Sequence, residues 1–238
     1  MRRIGILGGM GPEATVLLMQ KIIAATPARD DADHIPLIVD QNPQVPSRIA
    51  FLVEGRGEDP GPVLAEMAHR LQSAGAEALA MPCNTAHHFA PAIRAATALP
   101  FLDMVAASVA RASALAGAGG TVGILASPAV RRVGLFDAAF AAVGVRAIYP
   151  EDDAAMLSAI RKIKAEGPVP AARSVLAGAS AALLSAGARV QMVACTEFSL
   201  AADAVSTEAH AFDTLDVLTE AIVAFAKDTD ANRRKAAS

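Results

Sequence analysis

The chain has two cysteines, and their positions could support proton transfer by a pair of thiols. Cys83 comes just after the apolar segment 78–81, and Cys195 comes just after the apolar segment 190–193. A thiol has a pKa of about 8.5, which helix N-termini and nearby cations lower readily, so it can exchange a proton near neutral pH. Two such groups on opposite faces of a carbon atom could remove one proton and return another. The pair therefore favours chemistry that inverts a carbon centre.

The cysteines could have three other roles. A free cysteine at the end of an apolar strand is often only a small buried hydrophobe, and this role stays open for either residue. A redox pair is disfavoured because the Cys-x-x-Cys spacing is missing. A zinc site is disfavoured because His87 and His88 lie near Cys83 without the usual spacing of ligands.

The elements that would position the thiols follow an alternating pattern. Short apolar segments, typical of buried strands, alternate with amphipathic, alanine-rich segments that are typical of helices, which predicts an α/β fold with parallel sheets. The predicted strands are 4–7, 36–39, 78–81, 121–125, 147–149 and 190–193, and the predicted helices are 12–25, 63–74, 130–143, 154–165 and 171–186.

The two halves of the chain repeat this order. Gly5 and Gly123, in matching Gly-Ile-Leu strings, lie 118 positions apart, and the two cysteines lie 112 positions apart. Such similar offsets indicate an internal duplication. We expect two similar α/β domains related by a pseudo-twofold axis, one of residues 1–103 plus 210–238 and one of residues 104–209. Ligands of open parallel sheets bind at the carboxyl ends of the strands, so each domain would present one cysteine to a shared cleft.

Composition excludes several classes of partner. The chain has 238 residues with a net charge of −3, which gives no reason to expect nucleic acid or an anionic membrane as a partner. Glycine, proline or charge interrupts every apolar stretch before the roughly 18 residues of a membrane span. We expect a cytoplasmic protein whose cysteines are free thiols.

Other polar residues could hold a small acid near the thiols. Thr85 and Thr196 follow the cysteines at predicted helix starts, where hydroxyls and backbone N–H groups can bind a carboxylate. Arg48 follows a proline-bounded loop and could grip a carboxylate, or be only a solvated loop residue. Lys164 could likewise be a solvated charge near a helix end. Glu197 could assist Cys195, or be a first-turn acid favoured by the helix dipole.

Three segments carry a resemblance to a known family: Gly5–Thr15, Met81–His87 and Cys195–Phe198. On these the chain resembles the aspartate/glutamate racemases, which use two cysteines and no cofactor. The resemblance extends over nearly the whole chain. It implies a homodimer, a small dicarboxylic amino acid as substrate, and neither a cofactor nor a metal.

The resemblance also implies roles for individual residues. Cys83 and Cys195 would be the catalytic proton donor and acceptor. The expected substrate-binding residues are Asn84, Thr85 and Thr196 for the α-carboxylate, Arg48 and Lys164 for the distal carboxylate, and Met10, Ser127 and Glu197 beside them.

The chain departs from the family pattern at several positions. Ser47 and Ile49 flank Arg48 where family members often have Asp and Thr, and Ser127–Val130 replaces a Thr-x-Gly-Thr string. Leu218 stands where the family often has His. Neither cysteine is affected, so the choice of substrate is what these departures leave open.

Four rival functions follow from the same residues. Residues 9–14 match G-x-G-x-x-A after a strand, which with Asp40 would suit a dinucleotide-binding oxidoreductase, although Pro12 stiffens the helix start. A maleate isomerase and a hydantoin racemase are related enzymes that remain possible, whereas a related decarboxylase keeps only one cysteine. A binding protein without turnover is the fourth alternative.

Overall fold

The computed structural model describes residues 1–228, which form two parallel four-stranded sheets flanked by helices. This confirms the predicted fold class. Residues 229–238, which the sequence assigned to the first domain, lie outside the described part.

The first sheet has the strand order β2-β1-β3-β4, and every neighbouring pair is parallel. The buried strand β1 is central, with Ile4 opposite both Leu37 and Ala78. The elements of this half are β1 (Ile4–Gly8), α1 (Pro12–Ala24), β2 (Leu37–Gln41), α2 (Arg48–Leu52), α3 (Pro60–Ser73), β3 (Ala78–Ala80), α4 (Ala90–Ala96) and β4 (Phe101–Leu102), with 3₁₀ turns at Asp31–Asp33 and Thr85–Phe89.

The second sheet has the order β6-β5-β7-β8, again parallel throughout. Its elements are α5 (Met104–Ala116), β5 (Thr121–Ala126), α6 (Pro128–Arg132), α7 (Asp137–Ala142), β6 (Arg146–Ile148), α8 (Asp153–Glu166), α9 (Pro170–Ser185), β7 (Val190–Ala194), α10 (Thr196–Ser199), a 3₁₀ turn at Ala202–Ala204, β8 (His210–Asp213) and α11 (Thr214–Lys227).

The two sheets are built on one plan. In each, the first strand of the half is central, the second strand lies at one edge, and the third strand leads to a cysteine. An internal duplication produces such a match of strand order.

The C-terminal segment is shared between the two halves. The sequence places residues 210–238 with the first domain, but β8 is hydrogen-bonded to β7 at the edge of the second sheet. Helix α11 crosses back, and its Leu215, Leu218 and Ile222 pack in one apolar cluster with Ile4 and Ile6 of β1. Residues 210–213 thus pair with the second sheet, and α11 packs on the first.

One predicted helix is wrong in its extent. The sequence predicts a helix over 130–143, whereas the structure has α6 and α7 with a turn between them. Gly134 occupies this turn with φ of +60°, a left-handed conformation that glycine adopts without steric cost. The N–H of Gly134 donates to the carbonyl of Arg131, which closes the turn that ends α6.

Polar contacts join the halves near the strand ends. Arg161 of α8 donates to the Glu54 carboxylate at 2.9 Å, and Arg132 of α6 donates to the carbonyl of Val53 at 2.7 Å. Within residues 1–228 no helix combines the length and the apolar character needed to cross a bilayer.

Candidate active site

Both cysteines lie at the carboxyl ends of equivalent strands. Cys83 follows β3 and is 7% exposed, and Cys195 follows β7 and is 6% exposed. Both are free thiols, as expected from the sequence. Each packs into the apolar cluster of its own half, so the surrounding core fixes the position of each sulfur.

Lys164 pairs with the carboxylate that lies beside Cys195. The residue belongs to the last turn of α8, and its Nζ lies 3.2 Å from Oε1 of Glu197. Burial alone would lower the pKa of Lys164, but the Glu197 carboxylate, and after it Cys195 and Cys83, raise that pKa above its usual value. Lys164 therefore stays charged at neutral pH.

Glu197 connects this ammonium to Cys195. The Cys195 thiol donates to Oε2 of Glu197 across 3.1 Å, while Oε1 of the same carboxylate pairs with Lys164. Burial, and then the charge and hydrogen bond of Glu197, raise the pKa of Cys195 well above that of a free thiol, and the Lys164 charge only partly opposes this. Cys195 therefore keeps its proton at neutral pH in the free protein.

The side-chain amide of Asn84 has one fixed orientation. The hydroxyl of Thr214 lies 3.0 Å from the carbonyl oxygen of Val193 and 2.9 Å from Nδ2 of Asn84. A carbonyl oxygen only accepts and a hydroxyl has one proton, so Thr214 donates to Val193 and accepts from Asn84. The buried Oδ1 of Asn84 is then an acceptor, and it has no partner among the described residues.

The hydroxyls expected at the site come from both halves. Thr85, half-buried after Cys83, has its Oγ1 3.1 Å from the Oγ of Ser127, which precedes α6 in the second half. Thr196 is buried at the first position of α10, next to Cys195. The structure thus brings Thr85 and Ser127 into direct contact across the two halves.

The remaining two expected residues are held by their own surroundings. Met10 is buried and packs in the same apolar cluster as Cys83. Arg48 begins α2, and its Nη1 donates to the carbonyls of Val45 and Pro46 at 3.2 and 2.9 Å. A guanidinium has five N–H donors, so Nε and Nη2 keep donors for another acceptor.

Sequence comparison identifies the group of proteins to which this chain is related. The sequence profile of the Asp/Glu/Hydantoin racemase family matches residues 7–222, which include both cysteines. The chain belongs to this family. The predicted resemblance to the aspartate/glutamate racemases is thereby confirmed.

Solved structures of racemases share the fold. A Picrophilus torridus aspartate racemase is 23% identical with a TM-score of 0.84, over 95% of this chain and 94% of that one. An aspartate racemase homologue from Pyrococcus horikoshii OT3 is 22% identical with a TM-score of 0.73, over 96% and 100%. The glutamate racemase of Francisella tularensis, solved with D-glutamate, is 17% identical with a TM-score of 0.66, over 94% and 80%.

Membership of the racemase family decides between the classes of function left open by the sequence. It supports an isomerase that racemises amino acids rather than a dinucleotide-binding oxidoreductase. Asp40, the residue that would hold a ribose, is instead paired with Arg70 at 2.8 Å.

Gly9, in the glycine-rich segment after β1, is required by the local packing of the backbone. Gly9 has φ of +91°, and a Cβ there would lie 2.4 Å from the backbone carbon of Asn42. Its N–H donates to the Thr15 hydroxyl at 2.9 Å. The glycine permits the loops after β1 and β2 to touch. This contact explains the glycine without a role in nucleotide binding.

The sequence suggests no role for His87 other than the disfavoured one of zinc ligand. Within the described residues no group of three or more His, Cys, Asp or Glu side chains could hold a metal. Both ring nitrogens of the buried His87 face backbone groups instead: Nδ1 lies 2.8 Å from the carbonyl of Cys83 and Nε2 lies 3.3 Å from the N–H of Met104. Thr214, which orients Asn84, was missed as well, because 130 residues separate the two in sequence.

Proposed function

We propose that this racemase interconverts the enantiomers of an acidic amino acid, aspartate or glutamate, with Cys83 and Cys195 as its two acid/base groups and without a cofactor. The observation that carries the proposal is the equivalent placement of the thiols. They follow equivalent strands of two similar sheets, and the Lys164 ammonium pairs with the Glu197 carboxylate that accepts from Cys195.

Two cationic side chains, Lys164 beside Glu197 and Arg48 at the start of α2, support a substrate with two carboxylates. Lys164 is 42% exposed and can offer N–H donors to a distal carboxylate while it remains paired with Glu197. Arg48 would supply the second cation through the donors that its own loop leaves free. Two cations fit an acidic side chain better than they fit a neutral one.

The groups beside each cysteine support binding of the α-carbon substituents. The hydroxyls of Thr85 and Thr196 can donate to the α-carboxylate, where fixed donors also stabilise the charge that develops when the α-proton leaves. The free Oδ1 of Asn84 can only accept, so we assign it to the α-ammonium of the substrate. This replaces the carboxylate contact that the family resemblance implies for the Asn84 side chain.

The protonation of Cys195 sets the order of proton transfers. In the free protein Cys195 holds its proton, so it returns a proton to the substrate when Cys83, as thiolate, removes the α-proton from the opposite face. The transfer leaves Cys83 as thiol and Cys195 as thiolate, next to the Lys164 ammonium. For the opposite enantiomer the roles reverse, and Glu197 can take up the Cys195 proton first.

Proton NMR in D₂O tests this proposal. L-Asp, D-Asp, L-Glu and D-Glu are each incubated with the purified protein without pyridoxal phosphate, beside Cys83→Ala and Cys195→Ala. We expect the α-proton signal of a substrate to disappear as the other enantiomer forms, and both variants to lose this conversion. Absence of exchange with all four would contradict an acidic amino acid as substrate, and turnover of maleate or a hydantoin would then identify the related isomerase.

A further inference from the structure

The residue four positions after each cysteine makes an equivalent pair of contacts in the two halves. His87 follows Cys83 by four positions, and Ser199 follows Cys195 by four positions. The carbonyl of Cys83 lies 2.8 Å from Nδ1 of His87, and the carbonyl of Cys195 accepts the backbone N–H of Ser199 at 3.1 Å. Each turn that carries a thiol is thus closed by this fourth residue.

The side chains of His87 and Ser199 also contact the start of the helix that follows the fourth strand of their sheet. After β4, Asp103 caps α5, and Nε2 of His87 accepts from the N–H of Met104, the first residue of that helix. After β8, Asp213 caps α11, and the Ser199 hydroxyl donates to Oδ1 of Asp213 at 2.9 Å. The two contacts use different chemical groups and connect equivalent places.

The contacts determine the tautomer of His87. The backbone N–H of Met104 can only donate, so Nε2 must be the unprotonated acceptor, and Nδ1 must carry the proton that it donates to the Cys83 carbonyl. Burial lowers the pKa of His87, which keeps this neutral form. The ring therefore joins two backbone groups from both of its ends and has no nitrogen left for substrate or metal.

We propose that His87 and Ser199 are positioning residues that attach each cysteine turn to the helix after the fourth strand of its sheet. We call each of these two links a thiol anchor. Helix α5 begins the second half and α11 returns to the first, so the two thiol anchors hold the sulfurs at fixed places relative to both halves. The proposal rests on the proposed acid/base roles of Cys83 and Cys195.

Fixed sulfur positions matter because proton transfer depends steeply on distance. A displacement of about 1 Å from the productive geometry can cost about a hundredfold in rate. Loss of a thiol anchor should therefore lower kcat while KM stays nearly constant, since neither His87 nor Ser199 has a free group for the substrate.

The test compares variants of the two thiol anchors in the full-length protein. His87→Asn keeps a donor near the Nδ1 position, His87→Gln keeps an acceptor near the Nε2 position, and His87→Ala keeps neither. Ser199→Ala removes the second thiol anchor, and His88→Ala, at the exposed neighbouring position, is the matched control. Each variant is measured for kcat, KM, melting temperature and the alkylation rate of each cysteine by iodoacetamide, followed by peptide mass spectrometry.

We expect a separate effect on each cysteine. The His87 variants should speed alkylation of Cys83 by about threefold or more and leave Cys195 unchanged, and Ser199→Ala should do the reverse. All should lower kcat by about tenfold or more with KM within about twofold. Because a link broken at one end no longer holds, His87→Asn and His87→Gln should each lower kcat about as much as His87→Ala.

Two results would overturn the thiol anchors. One is an equal increase in the alkylation rates of both cysteines in every variant, together with a lower melting temperature. This result would mean that the whole fold is loosened. The other is unchanged kcat in variants that fold normally. Alkylation does not require turnover, so a failure of the proposed racemisation would show separately, as wild-type protein without activity whose cysteines still respond as described.

Discussion

The Cys195 thiol and the Glu197 carboxylate form a hydrogen bond of 3.1 Å in which the thiol is the donor. An anionic acceptor stabilises the protonated thiol, and burial acts in the same direction. The first half has a different residue two positions after its cysteine, Thr85, so the two halves hold their thiols in different electrostatic surroundings. The duplicated fold therefore contains a chemically asymmetric pair.

The Glu197 carboxylate should control the pKa of Cys195. Glu197→Gln removes the negative charge from Cys195 and leaves Lys164 without its partner, and both changes favour the thiolate. The pKa of Cys195 should fall, so alkylation of Cys195 by iodoacetamide should begin at lower pH than in the wild type. A pH profile of alkylation for each cysteine measures this, and an unchanged or higher pKa would contradict the role of Glu197.

Lys164 should act on substrate affinity. Lys164→Met removes a charged donor to the distal carboxylate, and hydrogen bonds to charged groups contribute about 1.5–3 kcal/mol. We therefore expect KM for the acidic substrate to rise about tenfold or more, measured by steady-state kinetics.

Lys162 offers a matched control for this change. It lies on the same helix and pairs with Glu166 of that helix rather than with Glu197. Lys162→Met should leave KM within about twofold, and an equal rise in both variants would assign the effect to the overall charge of α8.

The strand and helix pattern, the duplication and both cysteines could be predicted from the sequence because each depends on local information. Short apolar segments between turn signals, such as Val190–Ala194, are typical of buried strands, and ligands of parallel sheets bind at the carboxyl ends of the strands. The break at Gly134 was not predicted, because the flanking alanine-rich pattern continues through it and a single glycine does not by itself end a helix.

Contacts that join distant parts of the chain could not be predicted. The acceptor role of the Asn84 amide depends on Thr214, and the tautomer of His87 depends on the N–H of Met104. Neither pairing leaves a periodic signal in the sequence. The spacing of four residues from cysteine to His87 and Ser199 is visible, but only the structure shows that both reach a helix start.

Asn84 should distinguish the amino group of the substrate. Asn84→Ala removes the acceptor that we assign to the α-ammonium, so KM for the preferred amino acid should rise about tenfold. Succinate has two carboxylates and no amino group, and its inhibition constant should stay within about twofold. Inhibition kinetics with succinate compares the wild type with Asn84→Ala. If the amino acid and succinate are weakened equally, Asn84 contacts a carboxylate and not the α-ammonium.

Asp213 should make stability depend on pH. Burial raises the pKa of its carboxyl to about 6, against 3.8 for the ordinary group, although Leu215 and Ser199 donate to it. The folded state therefore binds this proton more tightly than the unfolded state, so the free energy of unfolding from this group falls as pH rises from 3.8 to about 6 and is constant above. Each pKa unit is worth about 1.4 kcal/mol, so the fall is about 2–3 kcal/mol.

Asp213→Asn should abolish this part of the pH dependence. The amide oxygen can still accept from Leu215 and Ser199, but the amide nitrogen takes the place of Oδ2, which is buried without a partner among the described residues, and this cost is the same at every pH. Relative to the wild type, the variant should therefore gain about 2–3 kcal/mol in free energy of unfolding between pH 4 and pH 8. Urea unfolding at a series of pH values measures this, with Glu220→Gln, an exposed acid on the same helix that pairs with Arg111, as control. A difference between the two proteins that stays constant from pH 4 to pH 8 would contradict the raised pKa of Asp213.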